Sequence, residues 1–170
     1  MGDPVDFDPF AICAVLNDEG VEYVVLGGFA AIVRGSSLPT RDIDVIPSRD
    51  HANLDRLGRA LTRMNARIRI SGDPVPTKID GGFLANMPHM LNLVTDFGEM
   101  ALTFTPAGSA GDFDGWRRGA TPEEIEEGLT VFVASLDDII DSKRTANRPK
   151  DQMALPYLES LRDELRRLEG

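Results

Sequence analysis

Apolar and polar positions along the chain follow two periods, and the changes between them mark out its elements. Phe7, Phe10, Ala11, Ala14 and Val15 recur at helical spacing, with Asp8 placed to cap, Pro9 in the first turn and Gly20 beyond the end. This predicts a first helix with that face inward. Val21–Leu26 is a short β-branched run and reads as a buried strand. Gly27-Gly28 breaks it, Phe29–Arg34 reads as a short helix ending at Gly35, and the loop Ser36–Thr40 leads into a second strand, Arg41–Ile46, which Pro47 stops. Ser48 is the expected cap of a helix with Leu54, Leu57, Leu61 and Met64 on one side and Arg56, Arg59, Arg63 and Arg67 on the other. Arg67–Ile70 continues as a strand, and residues 71–90, rich in Gly, Pro and Met, read as loop. Leu91–Thr95 and Glu99–Thr105 form a hairpin around Asp96-Phe97-Gly98-Glu99. A Gly-rich loop, an acidic turn at Glu123–Glu127 and a strand at Thr130–Ala134 follow. A helix from Ser135 and a last amphipathic helix with Leu158, Leu161, Leu165 and Leu168 close the chain. Helices and short strands interleave, so the class is α/β or α+β, with a mixed twisted sheet flanked by helices.

Length and composition narrow this picture. At 170 residues the chain is one domain, 1–170, with the helices from about 135 packing on it. Hydrophobic residues at 42% and charged residues at 27% are an ordinary globular mix. The 28 acids outnumber the 18 Lys and Arg, for a net charge of −10 and a pI near 4.6. That balance excludes a protein devoted to coating duplex nucleic acid or an anionic membrane, but not one using a small nucleotide, because a metal ion reverses the local sign. The apolar runs are too short for a transmembrane helix, and the acidic start, Met1 to Asp6, is neither a signal nor a transit peptide. A cytoplasmic location is expected. The single cysteine, Cys13, lies among apolar residues and reads as a core side chain; one cysteine and two histidines argue against a zinc site.

Candidate chemistry centres on Gly27-Gly28 and on Asp42-Ile43-Asp44-Val45. Alternate residues of a strand share a face, so Asp42 and Asp44 point the same way, with Cα atoms about 6.5–7 Å apart. Two such carboxylates repel unless a cation lies between them, and hard oxygen ligands suit Mg²⁺ bridged to phosphate. The Gly-Gly turn has no side chains to block a phosphate and opens a helix with free N–H groups. Taken singly, Asp-x-Asp is also the solvated face of an edge strand and Gly-Gly an ordinary turn. Their order, strand, Gly-Gly, helix, loop, Asp-x-Asp, is far more specific. Lys143 stands out separately: it continues the stripe of Leu136, Ile139 and Ile140, and so calls for a negative partner, unless it snorkels at the helix end.

Gly27-Gly28 followed by Asp42-Ile43-Asp44 resembles the hG[G/S] … DhDh signature of the nucleotidyltransferase superfamily, the polymerase-β-like fold, and more particularly its small bacterial members related to AbiEii-type toxins. Thr40-Arg41-Asp42-Ile43-Asp44 is similar to the T-x-D-h-D form of that group. Val133–Ile140, Lys143-Arg144 and Arg148-Pro149-Lys150-Asp151 resemble its C-terminal block, so the likeness spans about residues 20–155. The resemblance implies a nucleotidyltransferase-like fold and Mg²⁺-dependent transfer of a nucleoside monophosphate from a nucleoside triphosphate to a hydroxyl on an RNA such as tRNA, a protein or a small molecule. In a toxin, an antitoxin partner would follow. It implies Asp42 and Asp44 as metal ligands and catalytic residues, Lys143 as catalytic and nucleotide-binding, and Gly27, Gly28, Thr40, Arg41 and Asp151 as nucleotide-binding.

The sequence departs from that family at one position. A third carboxylate is expected in Gly98-Glu99-Met100-Ala101-Leu102, and Ala101 stands in its place. Glu99, one strand step away on the same face, is the candidate to reach in as the general base. The alternative is a nucleotide-binding or regulatory module whose catalysis is impaired. Elsewhere the arginine row reads either as an RNA stripe or as a solvated face, the latter favoured by its position opposite the apolar stripe. Trp116, beside Arg117 and Arg118, reads as a loop anchor or a base-stacking group.

Overall fold

The computed structural model describes residues 6–69, 74–75 and 78–170. The acidic N-terminal residues 1–5, Ile70 at the end of an expected strand, and residues 71–73 and 76–77 of the expected loop lie outside the described residues. In chain order the elements are α1 (Pro9–Asp18), β1 (Tyr23–Leu26), α2 (Gly27–Val33), β2 (Asp42–Pro47), α3 (His51–Arg63), β3 (Arg67–Arg69), β4 (Pro74–Val75) and α4 (Gly81–Ala85). They continue as β5 (Met90–Thr95), β6 (Gly98–Thr103), α5 (Phe113–Gly119), β7 (Thr121–Glu126), β8 (Leu129–Val133), α6 (Leu136–Ala146) and α7 (Pro149–Glu169).

The strands form one mixed sheet in the order β4-β3-β5-β6-β2-β1-β8-β7. At its centre β2 runs antiparallel to β1 and parallel to β6, and β1 runs parallel to β8. Ile43, Val45, Met100 and Leu102 are buried in the same apolar cluster as Ile12 and Leu16 of α1 and Leu54, Leu57 and Leu61 of α3. Because side chains alternate across a strand, that burial forces Asp42 and Asp44 onto the opposite face. A second apolar cluster, Ala31, Leu136, Ile140 and Leu158, joins α2, α6 and α7, so the C-terminal helices pack on the helix that follows Gly27-Gly28.

Several elements follow from local chemistry. Asp8 caps α1 by accepting the Ala11 N–H at 3.0 Å, and Ser135 caps α6 by accepting the Asp138 N–H at 3.1 Å. Arg34, at the end of α2, donates to the carbonyls of Ala134 and Val133 and to Glu123, stitching that helix to β8 and β7. The mixed sheet flanked by helices is as expected, but five local readings are corrected. The buried face of α1 is Pro9, Ile12, Cys13 and Leu16, while Ala14 is exposed. Asp50, not Ser48, occupies the cap position of α3. The stretch 71–90 holds β4 and α4, the latter capped by Asp80 accepting the Phe83 N–H. The acidic turn at 123–127 is largely strand β7, an edge strand in which Glu124 and Glu126 are exposed and Glu123 is held by Arg34. Trp116 lies not in a loop but in α5, capped by Asp112.

The arginine row is committed to structure on its N-terminal side. Arg63 pairs with Asp18 at 2.7 Å and Glu19 at 3.2 Å, Arg59 pairs with Glu19, and Arg56 donates to the Gly20 carbonyl. These contacts tie α3 to the end of α1. Among the described residues no helix is long and apolar enough to cross a membrane.

Candidate functional site

The face of β2 that carries Asp42 and Asp44 opens into a cleft of about 630 Å³. Gly27, Gly28, Thr40, Asp42, Asp44, Ala101, Lys143, Arg148 and Lys150 all line it. Segments more than a hundred residues apart therefore meet at one place. The hydrophobic alternation of β2 aims the carboxylates, and the break after β1 delivers the glycines: Leu26 pairs with Asp44 across the two strands.

Gly27 is required there on two grounds. Its φ of +73° lies in the left-handed region, and a Cβ on it would collide with the Asp44 carboxylate. Gly28 sits almost as close to Thr40, whose hydroxyl donates to the Asp42 carbonyl at 3.1 Å and fixes the entry to β2.

Electrostatics set Asp44 apart. Burial and the neighbouring charge of Asp42 push its carboxyl up to about 7, against the weaker pull of Lys150, Lys143 and Arg148. Two carboxyls so close repel when both are ionised, unless a positive charge lies between them. Among the described residues no group of three or more His, Cys, Asp or Glu side chains comes together to hold a metal. Two acids alone fit Mg²⁺ better than zinc or calcium, since Mg²⁺ keeps several waters and shares phosphate oxygens with its ligand.

The positive side of the cleft is built by the junction of α6 and α7. Lys143, 19% exposed at its side chain, lies 3.7 Å from Asp151, which is fully buried. Asp151 also accepts from the Arg148 backbone N–H at 3.1 Å and from Arg148 Nε at 2.7 Å. Burial alone would raise the Asp151 carboxyl, but the bonds from Arg148 and the charge of Lys143 outweigh it and hold it below the ordinary range. Asp151 is thus placed behind the cations and holds two of them, whereas Lys143, Arg148 and Lys150 face the cleft.

The remaining candidates separate. Arg41 is exposed and does not line the cleft. Glu99 pairs in register with Asp42, and Ala101 with Asp44, but the Glu99 carboxylate is held by Arg69 at 2.6 Å and lies outside the cleft lining. Arg69 lies two strands away, beyond β5, and nothing in the spacing of the sequence announces it as a partner. The cleft also includes Met90, Asn92 and Thr105, which nothing in the sequence singled out, and His89, Thr103 and Trp116, which the sequence did not assign to this site. Arg148 and Lys150 belong to the C-terminal block that resembles the family, and their place at the start of a helix abutting Lys143 is what brings them to the cleft. Arg117, beside Trp116, sits over the Phe132 ring at 3.5 Å and so packs inward.

No protein-family model matches the sequence, and comparison with curated proteins finds no significant match. Solved structures do match. The lincosamide antibiotic adenylyltransferase LnuA, in its lincomycin-bound form, superposes with a TM-score of 0.59 at 15% identity, over 90% of this chain and 95% of that one. ANT(2'')-Ia in complex with adenylyl-2''-tobramycin gives a TM-score of 0.52 at 16% identity, over 94% and 95% of the two chains. A solution structure of the antibiotic-resistance factor ANT(2'')-Ia gives 0.51 at 16% identity, over 93% and 89%. Likeness along nearly the whole length of both partners identifies the architecture: the chain has the nucleotidyltransferase fold.

Proposed function

We propose that this protein transfers a nucleoside monophosphate from a nucleoside triphosphate to a hydroxyl group, with Mg²⁺ held by Asp42 and Asp44. The observation that carries the reading is the convergence of the Asp42/Asp44 pair, the Gly27-Gly28 turn and three cations in one cleft. Gly27 and Gly28 let the turn pass close beside Asp44 and Thr40, where a side chain would clash, and leave its backbone N–H groups to meet phosphates. Lys143, Arg148 and Lys150 neutralise the triphosphate and the diphosphate leaving group, and Asp151 keeps two of them in place. Asp44 becomes fully ionised once a cation answers its charge. When bound, the metal supplies charge neutralisation on the transferred phosphoryl group and acidifies the attacking hydroxyl. The neighbours of known structure include an adenylyltransferase and a complex with an adenylylated antibiotic, which supports a small hydroxyl-bearing acceptor. A toxin acting on tRNA, with an antitoxin partner, is the narrower reading that the sequence resemblance implies. The commitment of Arg56, Arg59 and Arg63 to α1 favours the small acceptor.

The test is transfer of label from each α-labelled nucleoside triphosphate, with Mg²⁺, to pooled hydroxyl compounds and tRNA. An Asp42→Ala/Asp44→Ala double substitution is expected to abolish transfer, and full retention of it would refute the assignment. A second reading, a nucleotide-binding module without turnover, is favoured by Ala101 beside Asp44 and by the capture of Glu99 by Arg69. Calorimetric binding of Mg·nucleotide with no transfer to any acceptor, together with gain of transfer in Ala101→Asp, would select it.

A further inference from the structure

We propose that the part of the cleft over β5 and β6 is the acceptor subsite, and that it takes an uncharged polyhydroxylated compound of the glycoside kind. This rests on the nucleotidyl-transfer reading above and specifies its second substrate.

The floor of this region is set by strand register. Asn92 lies beside Ala101, and Met90 beside Thr103. His89 and Thr105, bonded to each other at 3.1 Å, extend it. None of these side chains is a carboxylate. Besides Asp42 and Asp44, the acid on this face is Glu99, which is already neutralised by Arg69. A polycationic acceptor would find no counter-charge beyond the Asp42/Asp44 pair, which the metal occupies. An RNA needs a run of cations along its backbone, whereas the cations of the cleft, Lys143, Arg148 and Lys150, belong to its triphosphate end.

Two buried polar atoms then define what the ligand must offer. Thr103 is 6% exposed and Trp116 1% exposed, and both line the cleft. Neither Thr103 Oγ1 nor Trp116 Nε1 has a hydrogen-bond partner among the described residues. An indole N–H only donates, so the atom that meets it must be an acceptor: a hydroxyl, ether or carbonyl oxygen. An ammonium group, with donors alone, cannot serve. The threonine hydroxyl pairs with either. Thr103 stands two residues along β6 from Ala101, about 6.5–7 Å. A compound anchored at Thr103 can therefore present a hydroxyl further along its ring over Ala101, whose methyl group leaves space beside Asp44.

Trp116 is the only tryptophan in the chain, so selectively excited tryptophan emission reports on this wall alone. The full-length protein, with and without Mg²⁺ and a non-hydrolysable nucleoside triphosphate analogue, is titrated with a set of neutral glycosides, with tobramycin as a polycation and with a short RNA. Neutral glycosides are expected to shift Trp116 emission and to bind in preference to the other two. Thr103→Val is expected to weaken glycoside binding about tenfold, the worth of one good hydrogen bond, while nucleotide affinity stays within about twofold. Trp116→Phe is expected to weaken it similarly by calorimetry. Without ligands, Thr103→Val should melt no lower than wild type, because its hydroxyl has no bond to lose; this separates a binding defect from a folding one. Preference for tobramycin or RNA, failure of every glycoside to bind, or unchanged glycoside affinity in both variants would overturn the proposal. Failure of the nucleotide analogue to bind while the glycosides still do would instead strike the nucleotidyl-transfer reading.

Discussion

Replacing Asp44 by Asn should stabilise the metal-free protein, and by an amount that grows with pH. The Asp44 carboxyl is pushed from its ordinary 3.8 up to about 7 by burial first and by Asp42 second. A raised carboxyl means that the folded state holds its proton where the unfolded chain has already released it. Stability from this group is intact below pH 4, where both states are protonated, and is lost as pH rises through about 7. At 1.36 kcal/mol per pH unit of displacement, the deficit is roughly 2 kcal/mol at pH 5 and roughly 4 kcal/mol at pH 8. Among the described residues the Asp44 carboxylate accepts no hydrogen bond that Asn would forfeit, so most of the deficit should be recovered. For a domain of this size each kcal/mol moves the melting temperature by about 2–4 °C, giving a gain on the order of 10 °C at pH 8. The assay is thermal unfolding of wild type and Asp44→Asn from pH 5 to pH 8.5 in a chelator. Adding Mg²⁺ with nucleotide should then raise wild type and leave the variant almost unmoved. A variant less stable than wild type at pH 8, or a difference between them independent of pH, would refute this account of the pair.

Three further outcomes are expected. Gly27→Ala, strained at φ +73° and in collision with Asp44, should lose about 1–3 kcal/mol of stability and most of its nucleotide affinity, read by melting and by calorimetry. Asp151→Asn should cost about 2 kcal/mol and raise the Kd for nucleotide; because the carboxyl is held low, its stabilisation is present above the ordinary carboxylate range and is lost as pH falls through the depressed value, so the gap between wild type and variant should close in strong acid. Arg34→Ala removes donors from two carbonyls and Glu123, and should lower stability by about 2–3 kcal/mol without changing nucleotide affinity, since Arg34 lies outside the cleft lining.

What the sequence disclosed was local. Gly27-Gly28 and Asp42-x-Asp44 could be read because a chain break and a two-residue period need only their immediate neighbours. Lys143 could be read because an apolar stripe makes a charge conspicuous. The place of Asn92, Thr103 and Trp116 in the cleft could not, even with Trp116 open as a stacking group, because it depends on the register of β5 against β6 and on a seven-residue helix too short to show a period. Glu99 marks the boundary. Its face and strand step were legible, as its pairing with Asp42 confirms, but the direction of its carboxylate was decided by Arg69, two strands away. The edge strand β7 was hidden for another reason: with a single apolar residue, Ile125, among three acids, it shows no hydrophobic alternation and resembles a turn.

The junction between α6 and α7 has a practical corollary. Asn147, in the left-handed conformation at φ 53°, ends α6, and Arg148 begins the next helix. Further along α7, the Tyr157 hydroxyl bonds both the backbone N–H and the hydroxyl of Ser37, in the loop that leads to Thr40 and Asp42. One rod thus carries cations at its head and grips the approach to the carboxylates further down. Dividing the polypeptide after Asn147 would produce two fragments, the first holding Asp42, Asp44 and Lys143 and the second Arg148 and Lys150. Such a pair would reassemble most readily when Mg·nucleotide bridges them, making this scaffold a starting point for a two-piece reporter gated by nucleotide.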